Sequence, residues 1–273
     1  AEIERNVTAA LAEDIGTGDL TARLTSSSVT ARATVVVRRD TVLCGHAWFE
    51  SCYRKVDPQV RMNWHVQEGA KASAGTAVCS LTGPARALLT GERTALNFLQ
   101  LLSAVASATR RYVDAVAGTR AAIVDTRKTL PGLRLAQKYA VKVGGGVNHR
   151  LGLYDGILIK ENHIAAAGGV TAALDAARRI APPGVWIQIE VENLAQLREA
   201  LAAGARMILL DNMALETLRA AVELTAGRAQ LEASGGITLE NVRAVAQTGV
   251  DRISIGSLTK DVTAADLSMR FES

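Results

Sequence analysis

The chain has 273 residues, 48% of them hydrophobic but only 4% aromatic, so Ala, Val, Leu and Ile must build its interior, as one large domain or two moderate ones. A net charge of +4, with cations gathered near glycines and strand ends instead of along an aromatic-interleaved stripe, argues against a nucleic-acid surface. Cys44, Cys52 and Cys79 lack metal or disulfide spacing, the uncharged stretch 94–109 is too short and polar for a membrane span, and the acidic first residues do not resemble a secretory signal, so a cytoplasmic protein is expected.

In chain order, Ile3 to Ala12 has apolar residues at helical spacing, and Glu13 to Asp19 ends that helix with turn chemistry. Val29 to Val37 alternates as a strand does, and Val60 to Val66 and Thr76 to Leu81 read as further strands around turns at Gly69 and Gly75. Residues 1 to about 100 thus read as a small α+β domain. The segment VQEGAKASAGT invites comparison with carrier domains that modify a hairpin-tip lysine, but Lys71 lacks the flanking signature. Gly91 to Arg110 is a helix with Leu96, Leu99, Leu102 and Val105 on one face, and it links the two halves.

From residue 120 an apolar strand followed by an amphipathic helix repeats. The strands are 121–124, 156–159, 185–189, 207–210, 229–233 and 252–255, and helical patterns fill 133–143, 170–181, 193–203, 214–226 and 238–248. Such alternation indicates a parallel sheet covered by helices. Every strand ends in residues with chemistry: Asp125, Arg127 and Lys128; Lys160 and Glu161; Glu190 and Glu192; Asp211 and Asn212; Ser234 to Gly236; Gly256 and Ser257. An open sheet concentrates its site at one switch point, whereas a barrel brings all strand ends to one mouth, which favours an α/β barrel, incomplete at six strands.

The stretch 125–164 packs cations around the triple glycine 144–146, which suggests an anionic ligand. Lys138 and Lys142, four apart on a helix, read as a solvated basic face, whereas Arg127, Lys128 and Lys160 stand where apolar strands stop. Ser234, Gly235 and Gly236 with Gly256 and Ser257 read as a phosphate cradle on the last two strands, since glycines let backbone N–H groups approach phosphate oxygens. Glu190 and Asp211 should face one cavity and suit Mg²⁺ shared with substrate phosphates, or ion pairs with Lys128 and Lys160. Arg127, His149 and Arg150, with Arg93 as a fourth, supply donors for planar carboxylates.

The segments EDIGTGDLT, GERTALNFLQ, DTRKTLPGLR, KYAVKVGGGVNHRLGLYDGILIKENHI, IEVEN, LLDN, ASGGI and ISIGSLT closely resemble the quinolinate phosphoribosyltransferase family, nearly end to end. The resemblance implies an N-terminal α/β sandwich over residues 1–103, an incomplete α/β barrel over 104–259 of the type II phosphoribosyltransferase kind, and a tail, 260–273, that packs back on the first domain. It implies the activity of a nicotinate-nucleotide diphosphorylase (carboxylating), a pentosyl-transferring glycosyltransferase: phosphoribosyl pyrophosphate and quinolinate give nicotinate mononucleotide, pyrophosphate and CO₂ with Mg²⁺, in NAD biosynthesis. It also implies a homodimer or larger homo-oligomer with a shared site, without nucleic acid or membrane partners. By motif position, Arg127, His149 and Arg150 would hold quinolinate, with Arg93 reaching in from the partner subunit. Lys128, Lys160, Glu190 and Asp211 would hold phosphoribosyl pyrophosphate and its metal, and Ser234 to Gly236 with Gly256 the 5-phosphate. Glu161 and Leu130 stand where the family often has Asp and Thr, and neither removes a needed group. A nicotinate phosphoribosyltransferase, a related molybdenum-transport accessory protein, a Schiff-base lyase using Lys160 and a metabolite-binding module are the competing readings.

Overall fold

The structure is a computed structural model that describes residues 1–272. Its elements begin with α1 (Glu2–Ile15), β1 (Thr30–Val37), β2 (Thr41–Val42), α2 (His46–Val56), β3 (Arg61–Trp64), β4 (Lys71–Ala72), β5 (Ala77–Pro84) and the long α3 (Ala85–Ala115). They continue with β6 (Ala122–Val124), α4 (Arg134–Val143), β7 (Gly156–Ile159), α5 (Glu161–Ala167), α6 (Val170–Ile180), β8 (Trp186–Val191), α7 (Leu194–Ala202) and β9 (Met207–Asp211). Last come α8 (Leu215–Thr225), β10 (Gln230–Ser234), α9 (Val242–Ala246), β11 (Arg252–Ser254), α10 (Ser257–Lys260) and β12 (Leu267–Phe271). Two compact units result: residues 1–110, 129–145 and those from Thr259 onward form the first, and 111–128 with 146–258 the second.

In the first unit, the antiparallel sheet runs β12-β1-β5-β3. Strand β1 alternates, and its inward residues Ala33, Val35 and Val37 are fully buried against Phe49, Leu88, Leu96 and Leu99. The C-terminal tail returns to this sheet, with Val37 of β1 opposite Leu267 of β12. Helix α3 starts six residues before the expected Gly91, because that glycine is interior to it: a Cβ there would lie 2.7 Å from the ring of buried Tyr53. Helix α2 was not expected, although Trp48, Phe49, Cys52 and Tyr53 fall at helical spacing and are buried. Its first N–H groups, on Gly45 and His46, are capped from a distance by Glu68 at 2.8 and 3.1 Å. Lys71 lies within β4, opposite Val42 of β2, not at a hairpin tip.

Lys138 corrects the expectation of a basic solvated face. On α4 the side chains of Ala136, Gln137, Ala140 and Val141 point inward, and Lys138 goes with them, 1% exposed; of the two lysines only Lys142 is exposed. Two lysines at four-residue spacing read as one face, but this buried arc is wide enough to take the first. An ammonium that deep is kept only with a partner, and Lys138 has one.

In the second unit six parallel strands run β6-β11-β10-β9-β8-β7. Strands β6 and β7 form its two edges and do not pair, so the barrel is incomplete, as expected. Val147 adds one parallel bridge to β6, its N–H donating to Ile123 O at 2.8 Å. The helix expected over 238–248 shrinks to α9, because Thr238 to Asn241 is committed to a turn: Thr238 N–H donates to Asn241 Oδ1 at 2.8 Å and Asn241 Nδ2 to Gly236 O at 3.1 Å. Among the described residues no helix is long and apolar enough to cross a membrane.

Candidate active site

The strand ends of the second unit surround a cavity of about 270 Å³. Arg127, Lys128, His149, Arg150, Lys160, Glu190 and Ser234, all expected from the sequence, line it. Arg127 and Lys128 follow β6, Lys160 follows β7 and directly precedes α5, and Glu190 lies near the end of β8. Arg93 belongs to the first unit, exposed on α3, and the second unit's cavity is lined without it.

The two acids are close enough to feel each other. Lys160 Nζ lies 3.5 Å from Glu190 Oε2. The Glu190 carboxyl is nevertheless held above the usual carboxylate range, by burial first and then by the charges of Asp211 and Glu161, against the opposing pull of Lys160. Asp211 is opposite Ser234 in the sheet register, and its Oδ2 accepts from Asn212 Nδ2 at 2.7 Å. The two guanidiniums line the same cavity. The charge on Arg150 is disfavoured by burial and then by the neighbouring Arg127, while its Nη1 donates to Gly156 O at 3.2 Å.

Gly235 is required by a close approach as well as by its φ of +101°: a Cβ there would lie 2.0 Å from Asn212 Oδ1. Asn212 itself adopts φ 52°, and its N–H donates to Ser234 O at 2.9 Å, so the ends of β9 and β10 lock together. Gly236 follows with φ 60°. A Cβ on Gly256 would approach Lys128 Cδ to 3.2 Å, so that glycine leaves room for the lysine beside it, and Ser257 opens α10. Of the residues expected to cradle phosphate only Ser234 lines the cavity; Gly235, Gly236, Gly256 and Ser257 lie outside that lining, as does Asp211.

Beneath lies a layer in which sequence reasoning named Asp125 and His149 but missed Glu232 and Gln188. Glu232, 1% exposed at the centre of β10, faces Arg252 Nε at 3.0 Å and accepts from the Ser254 hydroxyl and from Gln188 Nε2 at 3.2 Å. Gln188 Oε1 lies 2.8 Å from His149 Nε2, and Arg150 N–H donates to His149 Nδ1 at 2.9 Å. Asp125, fully buried, accepts from His149 N–H at 2.8 Å and from Asn148 Nδ2 at 2.6 Å. The signal was there at period two. Gln188 and Glu190 interrupt one apolar strand, Glu232 and Ser234 another, and a helix-covered parallel strand has no other reason to carry an alternating polar row.

A parallel, incomplete barrel whose strand ends gather two arginines, two lysines, a histidine and a buried glutamate around one cavity fits an enzyme of the α/β-barrel class that handles anionic small molecules. Residues 19–103 match the N-terminal domain of quinolinate phosphoribosyl transferase and residues 105–270 its C-terminal domain. The chain belongs to the quinolinate phosphoribosyltransferase family.

A Bacillus subtilis protein described as a probable nicotinate-nucleotide pyrophosphorylase (carboxylating) is 46% identical over 257 residues, covering 94% of this chain and 89% of the relative. The Mycobacterium leprae nicotinate-nucleotide pyrophosphorylase (carboxylating) is 48% identical over 212 residues, 77% of this chain and 74% of its own. Among solved structures, the nicotinate-nucleotide pyrophosphorylase from Francisella tularensis superposes with a TM-score of 0.96 at 41% identity, covering 99% of this chain and 96% of that one.

Proposed function

We infer that this chain carries out the reaction of its family: transfer of the phosphoribosyl group of phosphoribosyl pyrophosphate to the ring nitrogen of quinolinate, with release of pyrophosphate and CO₂, giving nicotinate mononucleotide for NAD biosynthesis. The observation that carries this reading is the presence of Arg127 and Arg150 together in one cavity. Like charges are held together at a cost that a dicarboxylate would relieve, one carboxylate to each guanidinium.

The chemistry then follows from position and charge. The arginines aim the pyridine nitrogen at the anomeric carbon, while the cradle from Ser234 to Gly236 and Gly256 holds the 5-phosphate. As the bond to pyrophosphate lengthens, Lys128 and Lys160 stabilise the departing negative charge, and Glu190 faces the cationic ribose. After transfer, the bond to the 2-carboxylate breaks with its electron pair left on ring carbon 2, where the adjacent positive ring nitrogen stabilises it; CO₂ leaves and a proton adds to that carbon. No protein nucleophile is needed.

Glu190 and Asp211 fit Mg²⁺. They are neighbouring carboxylates at consecutive strand ends, and an ion held by two carboxylates would be completed by substrate oxygens. Bound there, the ion would supply charge neutralisation for the leaving pyrophosphate.

A homodimer completes the reading, with Arg93 of the partner subunit reaching the site; the exposure of Arg93 on α3 supports this. The cysteines are free and buried, which suits a reducing compartment, and we place the reaction in the cytoplasm.

Equilibrium binding tests the dicarboxylate reading. Arg127→Ala and Arg150→Ala should each weaken quinolinate by about 1.5–3 kcal/mol, the usual worth of a hydrogen bond to a charged group, and nicotinate should bind wild type more weakly than quinolinate does. Nicotinate binding as tightly as quinolinate would leave the second guanidinium without a purpose.

A further inference from the structure

The hydrogen bonds behind Arg150 point to one assignment of protons, with Glu232 Oε1 also 3.7 Å from His149 Nε2. Glu232 acts as acceptor, its Oε1 taking the Ser254 hydroxyl, while its Oε2 forms an ion pair with Arg252, whose Nε lies 3.0 Å away. Gln188 must therefore turn its NH₂ to Glu232, 3.2 Å away, which leaves its oxygen facing His149 Nε2 at 2.8 Å. That nitrogen carries a hydrogen. At the other side of the ring, the main-chain N–H of Arg150 points at His149 Nδ1 from 2.9 Å. A backbone amide can only donate, so Nδ1 presents its lone pair. A doubly protonated ring would set hydrogen against hydrogen there.

The ring has little freedom to escape this arrangement. His149 is 9% exposed, Trp186 meets it edge-on with ring centroids 5.0 Å apart, and Asp125 holds its own N–H at 2.8 Å.

We propose that Gln188 and Glu232 are positioning residues: they hold His149 as the neutral tautomer with hydrogen on Nε2, so that Nδ1 fixes the main chain of Arg150 for the second carboxylate of the substrate. His149 then acts through Arg150, and the positive charge at this end of the cavity comes from the arginines. The assignment rests on the dicarboxylate reading for its purpose but not for its geometry.

The test is ¹⁵N spectroscopy of histidine-labelled, substrate-free protein, in which the His149 signals are identified by their loss in His149→Asn. At pH 7 the expected pattern is a lone-pair-bearing Nδ1 and a hydrogen-bearing Nε2. In Glu232→Gln the new amide can turn Gln188 over and set a donor against Nε2. That pattern should then be lost, with the KM for quinolinate rising about 10²-fold, the cost of displacing a positioned group by an ångström, and the KM for phosphoribosyl pyrophosphate unchanged. Gln188→Leu, which removes the acceptor outright, should do the same.

A doubly protonated His149 in the wild type would overturn the proposal even if both variants failed to fold. So would folded variants that keep the wild-type KM for quinolinate. A wild type that shows the neutral pattern but does not bind quinolinate would refute the proposed function and leave the hydrogen-bond assignment standing.

Discussion

The two sheets of this chain bury their inner faces by different rules. In the first unit the inward row of β1, Ala33, Val35 and Val37, is wholly apolar and inaccessible to solvent. In the second, alternate positions of β8 and β10 carry Gln188, Glu190, Glu232 and Ser234 between the buried apolar residues Ile189, Leu231 and Ala233. Burying polar groups costs stability unless they are bonded to one another, and a fully apolar row would hold the sheet at least as well. The first sheet therefore serves the fold, and the polar row of the second fits the proposed site.

That contrast can be broken or sharpened by substitution. Phe49→Ala, in the core of the first unit, should cost about 3–5 kcal/mol by denaturant melting, with turnover per folded molecule preserved; a smaller loss would mean that the site collapses around the void. Lys160→Ala should do the reverse, lowering kcat by about 10²–10³-fold, as expected for one lost electrostatic contact to the departing charge, with the melting temperature kept. Near-normal turnover in that variant would remove Lys160 from the chemistry.

Glu190→Gln is a subtler case, with a defined sign. The folded-state pKa is raised, so the folded chain holds that proton to higher pH than the unfolded one, and stability from this group falls as pH rises from the ordinary carboxylate range through the raised value. At neutral pH the glutamine variant should melt at a slightly higher temperature than wild type while turning over more slowly. Equal melting at neutral pH would show that no strain is stored there.

The smallest effect belongs to the surface. Arg178→Ala, which breaks the exposed 3.0 Å pair with Asp175, should change stability by less than about 1 kcal/mol and leave kcat alone.

How much of this was legible beforehand followed the local signal. The six barrel strands could be read because each is a short apolar run between turn residues, and Lys128, Lys160, Glu190 and Ser234 could be read because they stand where those runs stop. Helix α2 went unread although Trp48, Phe49, Cys52 and Tyr53 have helical spacing, because its cap, Glu68, is more than twenty residues away; the tail was expected to return to the first domain, but not as strand β12, whose partner β1 lies some 230 residues earlier in the chain. Glu232 and Gln188 were hidden because one acid or amide within an apolar strand looks like a defect until its partners on neighbouring strands are seen. Lys138 misled for the opposite reason. Its spacing from Lys142 is that of a solvated stripe, and only the packing of α4 distinguishes the buried lysine from the exposed one.

The most direct test of the whole account is a single-turnover reaction with quinolinate, phosphoribosyl pyrophosphate and Mg²⁺, following pyrophosphate, CO₂ and nicotinate mononucleotide together, with nicotinate run in parallel. Equal yields of all three products from quinolinate, and none from nicotinate, are the predicted result. Turnover of nicotinate without CO₂, or no product from either substrate, would contradict it.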